Sequence, residues 1–244
     1  MKIHYIKHSG FFLEWDNCGM LFDYWKGQLP ETALNRELFV FASHAHEDHF
    51  NPIIFEWSLQ HPNVHYVLSG DIQKKVKRMH IGEIPSDRIT YLRPGEELFL
   101  QDQQKNPISV RTLRSTDCGV AFLVRYMGKN YFHAGDLNCW TWPDDTKQHR
   151  NQMIAEYQRE IDKLQGQRIA AAFLPLDPRM RTEYDRGIRY FLSRVEAEQI
   201  YPMHIWEKYS TVEKFRSGLP EEEREKIMEI RAPGMIFEEE ETGV

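Results

Sequence analysis

Residues 41–50, FASHAHEDHF, decide both the fold and the chemistry that the sequence predicts. They hold three histidines and an aspartate within positions 44–49, directly after the apolar run 38–42. Such a run predicts a short buried strand, and the Asn-Pro pair at 51–52 predicts the start of a helix. The polar residues therefore stand in a turn between a strand and a helix.

The spacing of these side chains predicts ligands for two neighbouring metal ions. Residues two apart in an extended segment point to the same side, so His44 and His46 present two imidazoles to one ion. Asp48 and His49 are adjacent and share a side only if the chain turns sharply, which would direct them to a second ion. Imidazole together with carboxylate suits Zn²⁺, Fe²⁺ or Mn²⁺, with Zn²⁺ as the default. The alternative is a histidine-rich surface loop, which does not explain three histidines so close behind a buried strand.

The composition limits the classes of function that the protein can have. The chain has 244 residues, and 31 basic against 37 acidic side chains give a net charge of −6, without a basic patch that would indicate a nucleic-acid partner. The longest apolar run, 169–174, is too short to span a membrane, and the N-terminal segment lacks the apolar core of a signal peptide. Cys18, Cys118 and Cys139 form neither a C-x-x-C pair nor a disulfide framework. We therefore expect a cytoplasmic protein that binds neither nucleic acid nor membrane.

The order of the predicted elements indicates an α/β fold. Strands dominate the first half, which ends in a clear hairpin, and strands alternate with helices in the second half. This order predicts two sheets packed together with helices outside, in one domain that spans residues 1–244. The predicted strands are 3–7, 11–15, 20–23, 38–42, 64–68, 89–92, 98–100, 108–113, 119–126, 131–134, 169–174 and 200–203. The predicted helices are 52–60, 70–80, 148–164, 183–196, 212–217 and 221–227, and the acidic block 238–241 is a predicted solvated tail.

Several polar residues elsewhere in the chain follow predicted strands and are candidates for the same site. Asp136 follows a glycine at a strand end and can bridge two cations, although alone it would be an ordinary turn residue. His204 can complete the ion held by Asp48 and His49. Asp23 is either a strand cap or a partner that fixes a ligand histidine, and His8 either faces the same cleft or is a turn histidine.

These motifs resemble the metallo-β-lactamase superfamily over nearly the whole chain. The motifs in question are His44-x-His46-x-Asp48-His49, Asp23, Gly135-Asp136 and Pro202-Met203-His204. The strings HSGF at 8–11 and HAGD at 133–136 look most like the broad metal-dependent hydrolase branch, which includes sugar-phosphate lactonases and lies near the tRNA-processing nucleases. The resemblance implies a four-layer αββα sandwich of two mixed β-sheets with helices on the outer faces and a metal site at one edge. It implies that His44 and His46 bind the first ion, that Asp48, His49 and His204 bind the second, and that Asp136 bridges them.

One departure from the family concerns the first ion. The family usually supplies a third histidine from the loop that is 114–119 here, and Ser115 holds that position. Asp117 can replace it as an oxygen ligand, a water can fill the gap, or the protein works with one metal ion. An oxygen ligand would shift the preference toward Mn²⁺ or Fe²⁺. Cys118 and Cys139 lie nearby in sequence, where small packing residues are the simpler interpretation than thiolate ligands.

The chemistry of such a metal site predicts a hydrolase in which a metal-bound hydroxide attacks an ester, lactone or phosphodiester of a small molecule, with Asp48 as the catalytic residue that orients it, or takes its proton when only one ion is bound. Trp140 and Trp142 are candidates for a pocket wall, and Arg179 or Arg181 for holding an anionic group of the substrate. The alternatives are core tryptophans and solvent-exposed arginines. The rival function is a non-hydrolytic metal-binding protein of the same fold, either a sensor or a catalytically silent member. The sequence makes no prediction of the oligomeric state.

Overall fold

The computed structural model describes residues 1–79 and 86–238, which contain thirteen strands and six α-helices. The strands are β1 (Lys2–Lys7), β2 (Gly10–Glu14), β3 (Cys18–Phe22), β4 (Glu37–Ala42), β5 (Val64–Ser69), β6 (Ile89–Leu92), β7 (Glu97–Gln101), β8 (Pro107–Arg114), β9 (Val120–Tyr126), β10 (Lys129–His133), β11 (Arg168–Pro175), β12 (Glu196–Met203) and β13 (Ile236–Glu238). The helices are α1 (Ile54–Gln60), α2 (Ile72–Arg78), α3 (Lys147–Ile161), α4 (Arg186–Arg194), α5 (Ser210–Ser217) and α6 (Glu221–Lys226). Short 3₁₀ helices cover Glu31–Asn35, Ser86–Arg88, Asp162–Leu164 and Pro178–Glu183. Within the described ranges, no helix has both the length and the apolar character that crossing a membrane requires.

The strands form two mixed sheets. The first has the order β13-β1-β2-β3-β4-β5-β6, and the second has the order β12-β11-β10-β9-β8-β7. Pairs from β3 to β6 are parallel and the other pairs of the first sheet are antiparallel. In the second sheet β10, β11 and β12 are parallel, and β7 to β10 pair antiparallel. The predicted hairpin is present as β9 and β10.

Strand β4 shows why residues 38–42 are all apolar. Leu38, Val40 and Ala42 pack with residues of α1 and α2 on the outer face of the first sheet. Phe39 and Phe41 face the second sheet, where the Phe41 ring lies 5.4 Å from the ring of Phe122. A strand that is buried on both faces needs apolar residues at every position. Helices α3, α4 and α5 contribute buried residues to the core of the second sheet, so the predicted four-layer αββα sandwich is confirmed.

Most predicted elements are observed with shifted ends, and two differences are larger. The predicted helix 183–196 is wrong at both ends: a 3₁₀ helix occupies Pro178–Glu183, α4 stops at Arg194, and Glu196 begins β12. Strand β13 was not predicted, because three residues beside an acidic block carry no clear strand pattern; it pairs with β1 through Ile3 and Phe237. The end of the predicted helix 70–80, at His80, and the acidic block beyond 238 lie outside the described residues.

Six strands end at one edge of the sandwich and deliver the polar residues there. Strands β1, β3 and β4 of the first sheet run in the same direction, as do β10, β11 and β12 of the second. The two sheets are joined at this edge by backbone hydrogen bonds from Val120 N to the Ser43 carbonyl (2.9 Å) and from His204 N to the His8 carbonyl (3.3 Å). Gly119 permits the first of these contacts: its φ is +69°, and a Cβ there would lie 1.9 Å from the Ser43 carbonyl oxygen.

Candidate metal centre

The loop after β4 makes a single tight turn. The backbone N–H groups of His49 and Phe50 both donate to the carbonyl of His46, at 3.1 and 2.9 Å. This turn allows the adjacent residues Asp48 and His49 to share one side, as the sequence interpretation required. Nε2 of His44 and Nδ1 of His46 lie 3.1 Å apart.

Four side chains at the meeting point of the sheets form the first group, which we call the inner cluster: His8, Asp48, His49 and His204. One ligand atom of each lies within 4.8 Å of the corresponding atoms of the other three. Oδ2 of Asp48 is 3.2 Å from Nε2 of His8, 3.9 Å from Nε2 of His49 and 3.7 Å from Nε2 of His204. The three predicted residues are thus brought together, and His8 joins them.

The second group, which we call the outer cluster, consists of His44, His46 and Asp136, again within 4.8 Å of one another. Asp136 also reaches the inner cluster, since its Oδ1 is 3.2 Å from Nε2 of His49 and 3.4 Å from Nε2 of His204, while its Oδ2 is 3.4 Å from Nε2 of His44. This carboxylate therefore lies between the two groups. Gly135 makes the approach feasible, because a Cβ there would lie 2.6 Å from the Cβ of Ser43.

Four buried polar atoms in these clusters are suited to bind a cation. Nε2 of His8, His49 and His204 and Oδ1 of Asp136 are buried and have no hydrogen-bond partner among the described residues. Each unpaired buried polar group costs about 1–3 kcal/mol. Imidazole nitrogens and a carboxylate oxygen are the usual ligands of divalent transition metals, so the donor set fits such an ion.

Buried acceptors fix the orientation of the ligand histidines from behind. Asp23 accepts from Nδ1 of His49 at 2.6 Å, and from the N–H and Oγ–H of Ser43, both at 2.7 Å. Oγ of Ser43 lies 3.0 Å from Nδ1 of His44. Asp177 accepts from Nδ1 of His204 at 2.9 Å. An ionised carboxylate only accepts, so the contacts with Asp23 and Asp177 keep a proton on Nδ1 of His49 and His204 and direct Nε2 of each toward the cluster.

The sequence predicted Asp23, as one of two alternatives, to be a partner that fixes a ligand histidine. Sequence reasoning missed Asp177, which does the same for His204. Asp177 is completely buried at the end of β11 and also accepts from Nε1 of Trp206 at 3.2 Å. The sequence feature that could have identified Asp177 is its position two residues after Pro175, just beyond the end of a predicted strand.

The backbone is strained around the centre. The φ angles of His8, Asp23 and His204 are +58°, +44° and +61°. Residues other than glycine rarely adopt this left-handed region, and such residues concentrate at functional sites, where the surrounding structure holds them. The strain thus marks the same edge that the side-chain chemistry marks.

Burial and neighbouring charges set the protonation states of the residues in the centre. Burial lowers the pKa of His44 to about 4, assisted by the charge of His49. Burial alone would raise the pKa of Asp136, but the charges of His49 and His204 outweigh it and hold the pKa well below its usual range. Burial would likewise lower the pKa of His49, yet Asp136 and Asp23 raise it well above its usual value. The carboxylates thus attract one positive charge to the position of His49, and a bound cation would displace that proton.

The loop that lacks the third histidine places no replacement in either cluster. Ser115 is buried and its Oγ accepts from the N–H of Asp117 at 3.1 Å. Oδ2 of Asp117 is 4.0 Å from Nδ1 of His46, and Asp117 belongs to neither cluster among the described residues. Cys118 is partly exposed and Cys139 is buried; both are free thiols.

A pocket of about 240 Å³ opens beside Asp136 and Asp117. Trp140 and Trp142 line it, as predicted, and so does Arg179. Arg179 is held by Asp177, with Nε at 2.9 Å from Oδ2, and its guanidinium lies 4.4 Å from the centre of the Trp206 ring. Arg181, the other predicted anion-binding arginine, has a side chain that is 72% exposed and does not line this pocket.

Comparisons with known proteins identify the family. A family model described as "Beta-lactamase superfamily domain" matches residues 2–152. In overall structure the chain is similar to Igni18, described as a novel metallo hydrolase, from the archaeon Ignicoccus hospitalis (19% identity, TM-score 0.65, 98% of this chain and 99% of that chain). It is also similar to a possible metal-dependent hydrolase from Veillonella parvula (13%, 0.62, 97% and 98%) and to an isothiocyanate hydrolase from Delia radicum gut bacteria (12%, 0.58, 98% and 99%).

These structural likenesses, at such low identity, establish the fold alone. A sequence comparison with curated proteins gave no match. The family model spans more than half of the chain, with residues 2–152 of 244. The family that the motifs predicted is confirmed: the chain belongs to the β-lactamase superfamily.

Proposed function

We propose that the protein is a metal-dependent hydrolase that cleaves an ester, lactone or phosphodiester bond of a small molecule. The observation that carries the proposal is the set of four buried, unpaired donor atoms on His8, His49, Asp136 and His204. They face one space at the strand ends, beside a pocket large enough for a small substrate. Burying such groups unpaired is costly unless an ion uses them.

In this proposal, His44 and His46 would hold the first ion, Asp48, His49 and His204 would hold the second, and Asp136 would be available to both. Zn²⁺ suits the imidazole-rich donor set, and Mn²⁺ or Fe²⁺ are the alternatives that the carboxylate oxygens allow. When bound, Zn²⁺ would lower the pKa of water to about 7 and stabilise negative charge on the reacting oxygens.

Asp48 is the proposed catalytic residue. Burial alone would raise the pKa of its carboxyl, but the neighbouring imidazole of His8, with Nε2 3.2 Å from Oδ2, and the charges of His49 and His204 lower it, so Asp48 is ionised at neutral pH. Its side chain is 22% exposed, in contrast to the buried side chains around it. It can therefore orient the attacking water and accept its proton, which is the function of a general base.

We propose a small, anionic substrate for this pocket. Arg179 lines the pocket together with Trp140 and Trp142, and its Nε and Nη2 are held by Asp177. Because the arginine is fixed in advance, it loses little side-chain freedom when it binds a carboxylate or phosphate.

Turnover by the Asp48→Ala variant tests the proposal. Metal-loaded wild type is assayed on a panel of lactones, carboxylic esters, phosphodiesters and thioesters, and the variant on the substrate that reacts best. We expect a fall in turnover of at least about 100-fold, the size of effect that a lost general base gives. Glu47→Ala is the matched control, since Glu47 is the exposed neighbour and belongs to neither cluster. Wild-type turnover by a folded Asp48→Ala variant would remove Asp48 from the mechanism.

The anionic substrate class has its own test. Arg179→Met should raise KM for an anionic substrate by roughly 10–100-fold, the equivalent of one charged hydrogen bond, and leave a neutral analogue almost unchanged. Arg181→Met controls for the loss of positive charge from the same 3₁₀ helix. Equal losses for both substrates would show that Arg179 does not recognise the anion.

One observation favours a second function, a metal-binding protein without hydrolytic activity. Neither cluster gains a ligand from Ser115 or Asp117, which leaves the outer cluster with His44, His46 and the shared Asp136. A sensor or a catalytically silent member would bind a single ion and turn over none of the panel substrates. Tight binding of two ions together with turnover would exclude this alternative.

Two properties of the whole chain are also proposals. We propose that residues 1–244 form one domain, in which both sheets contribute to a shared core. We propose a cytoplasmic location, which the three free thiols support, since reducing compartments keep thiols free.

A further inference from the structure

Like His49 and His204, His8 is a buried histidine with one ring nitrogen that has no hydrogen-bond partner among the described residues. His8 is 3% exposed, and the nitrogen that has no hydrogen bond among the described residues is Nε2. His133 shows the opposite behaviour: Nε2 lies 2.9 Å from the Ser9 carbonyl, Nδ1 accepts from Gly135 N at 3.2 Å, and its ring stacks on Phe22. A histidine that merely packs in this core is therefore hydrogen-bonded at both nitrogens, which His8 is not.

The backbone holds His8 in position. The register between β1 and β2 shifts just before it, its φ is +58°, and its N–H donates to the Tyr5 hydroxyl at 3.0 Å. Its carbonyl accepts from His204 N, so the two histidines are tied together through their backbones. Such a conformation is costly for a residue with a side chain, and it directs the imidazole into the inner cluster.

Neighbouring rings fix the remaining freedom of the side chain. The His8 ring lies 4.2 Å from the ring of His204, and the edges of Trp25 and Trp206 lie against it at 5.5 and 4.6 Å between ring centres. Nε2 is 3.2 Å from Oδ2 of Asp48, a separation that two ligands of one ion can have.

We propose that His8 is a direct ligand of the second ion and that this ion binds first and more tightly. The proposal rests on the metal centre described under Proposed function. The second ion would then have four ligands of its own, His8, Asp48, His49 and His204, besides the shared Asp136. The first ion would have only His44 and His46 besides Asp136. The imidazole that the first site lacks is thus matched by an additional one in the second.

Cobalt(II) is the probe that tests this inference, because its visible absorption reports the number and type of its ligands. Co²⁺ is titrated into chelator-treated protein, and the two dissociation constants are measured by competition with a chelator. The variant is His8→Gly, since glycine adopts a φ of +58° without strain and thus favours folding. His46→Ala removes a ligand of the first site and is the matched variant for the other ion.

The expected results differ between the two variants. His8→Gly weakens the first equivalent of Co²⁺ by roughly 10–100-fold or more, the loss seen even when a supporting partner of a ligand is removed, and changes its spectrum. Millimolar imidazole restores that spectrum, because it fills the space that the side chain left. His46→Ala binds the first equivalent with wild-type affinity and spectrum and loses the second.

Two results would overturn the inference. One is a folded His8→Gly variant that binds the first equivalent with wild-type affinity and spectrum, and the other is a His46→Ala variant that loses the first equivalent. Neither readout needs turnover, so this inference and the proposed hydrolytic activity fail separately. Wild type that binds Co²⁺ in the expected order but hydrolyses no substrate on the panel would support the inference and contradict the proposed function.

Discussion

The substitution Asp23→Asn tests whether the carboxylate of Asp23 orients the ligand His49, because it changes the hydrogen bonds and leaves the packing almost unchanged. The carboxylate of Asp23 is completely buried and accepts three hydrogen bonds, one on Oδ1 from Ser43 N–H and two on Oδ2 from Ser43 Oγ–H and His49 Nδ1–H. Asparagine keeps the shape but replaces one acceptor with an NH₂ donor. If the NH₂ takes the position of Oδ1, it meets the Ser43 N–H and two donors face each other. If it takes the position of Oδ2, His49 must accept on Nδ1, which moves its proton to Nε2.

The cost of each orientation of the asparagine amide can be estimated, as a loss of stability or of metal affinity. The first leaves a buried donor unpaired, which costs about 1–3 kcal/mol of unfolding free energy. The second blocks the nitrogen that faces the inner cluster, and loss of such a supporting contact weakens metal binding by about 10–100-fold. At a metal concentration of 100 times Kd, binding stabilises the wild type by about 2.7 kcal/mol. With a Kd that is 100-fold larger, the same concentration stabilises the variant by only about 0.4 kcal/mol.

The assay is urea unfolding with and without Zn²⁺, for the wild type and the variant. Asp102→Asn is the matched control, because Asp102 is also a buried carboxylate that accepts from Tyr126 and Asn106, and it belongs to neither cluster. We expect both variants to lose stability without metal, and only Asp23→Asn to lose the stabilisation by Zn²⁺. Full stabilisation of Asp23→Asn by Zn²⁺ would refute the reasoning that Asp23 orients His49.

Further predictions concern the edge of the sandwich and the pH dependence of stability. Gly119→Ala should cost about 2–4 kcal/mol in urea unfolding, because its Cβ would collide with the Ser43 carbonyl. Gly128→Ala, also at positive φ but with open space around it, should cost only about 1 kcal/mol, and equal costs would contradict the collision. Although burial raises the pKa of Glu14, hydrogen bonds to its carboxylate lower it below 4.5, so its contribution to stability is present above pH 4.5 and lost as the pH falls further. The stability deficit of Glu14→Gln should therefore shrink between pH 6 and pH 3.5, and a constant deficit would contradict the assignment.

Much of the centre was predictable because its residues are chemically distinctive and follow strands. The loop His44 to His49 is recognisable from its spacing alone, and Asp136 and His204 follow from the rule that parallel strands present their ends at a common edge. The structure brings all six predicted residues into two adjacent clusters. The four-layer sandwich followed from the resemblance and from the order of strands and helices.

The parts that sequence reasoning left open or missed depend on contacts between distant segments. His8 was predicted as one of two alternatives, a residue of the same cleft or a turn histidine, and its place in the inner cluster arises from the backbone hydrogen bond between it and His204. Asp177 orients His204 from a different strand of the same sheet, which no local pattern indicates. Strand β13 exists because β1 offers a free edge, and three residues are too few to show a period. The positions of these residues and of β13 therefore depend on contacts between segments that are far apart in the sequence, which local sequence patterns do not reveal.

The most direct test of the account is an anomalous-difference map from crystals of the protein loaded with Zn²⁺, measured at the zinc absorption edge. The account predicts a strong peak within bonding distance of Asp48, His49 and His204, and a weaker peak beside His44 and His46. A protein saturated with Zn²⁺ that shows no peak in either cluster would contradict the claim that these residues form a metal centre.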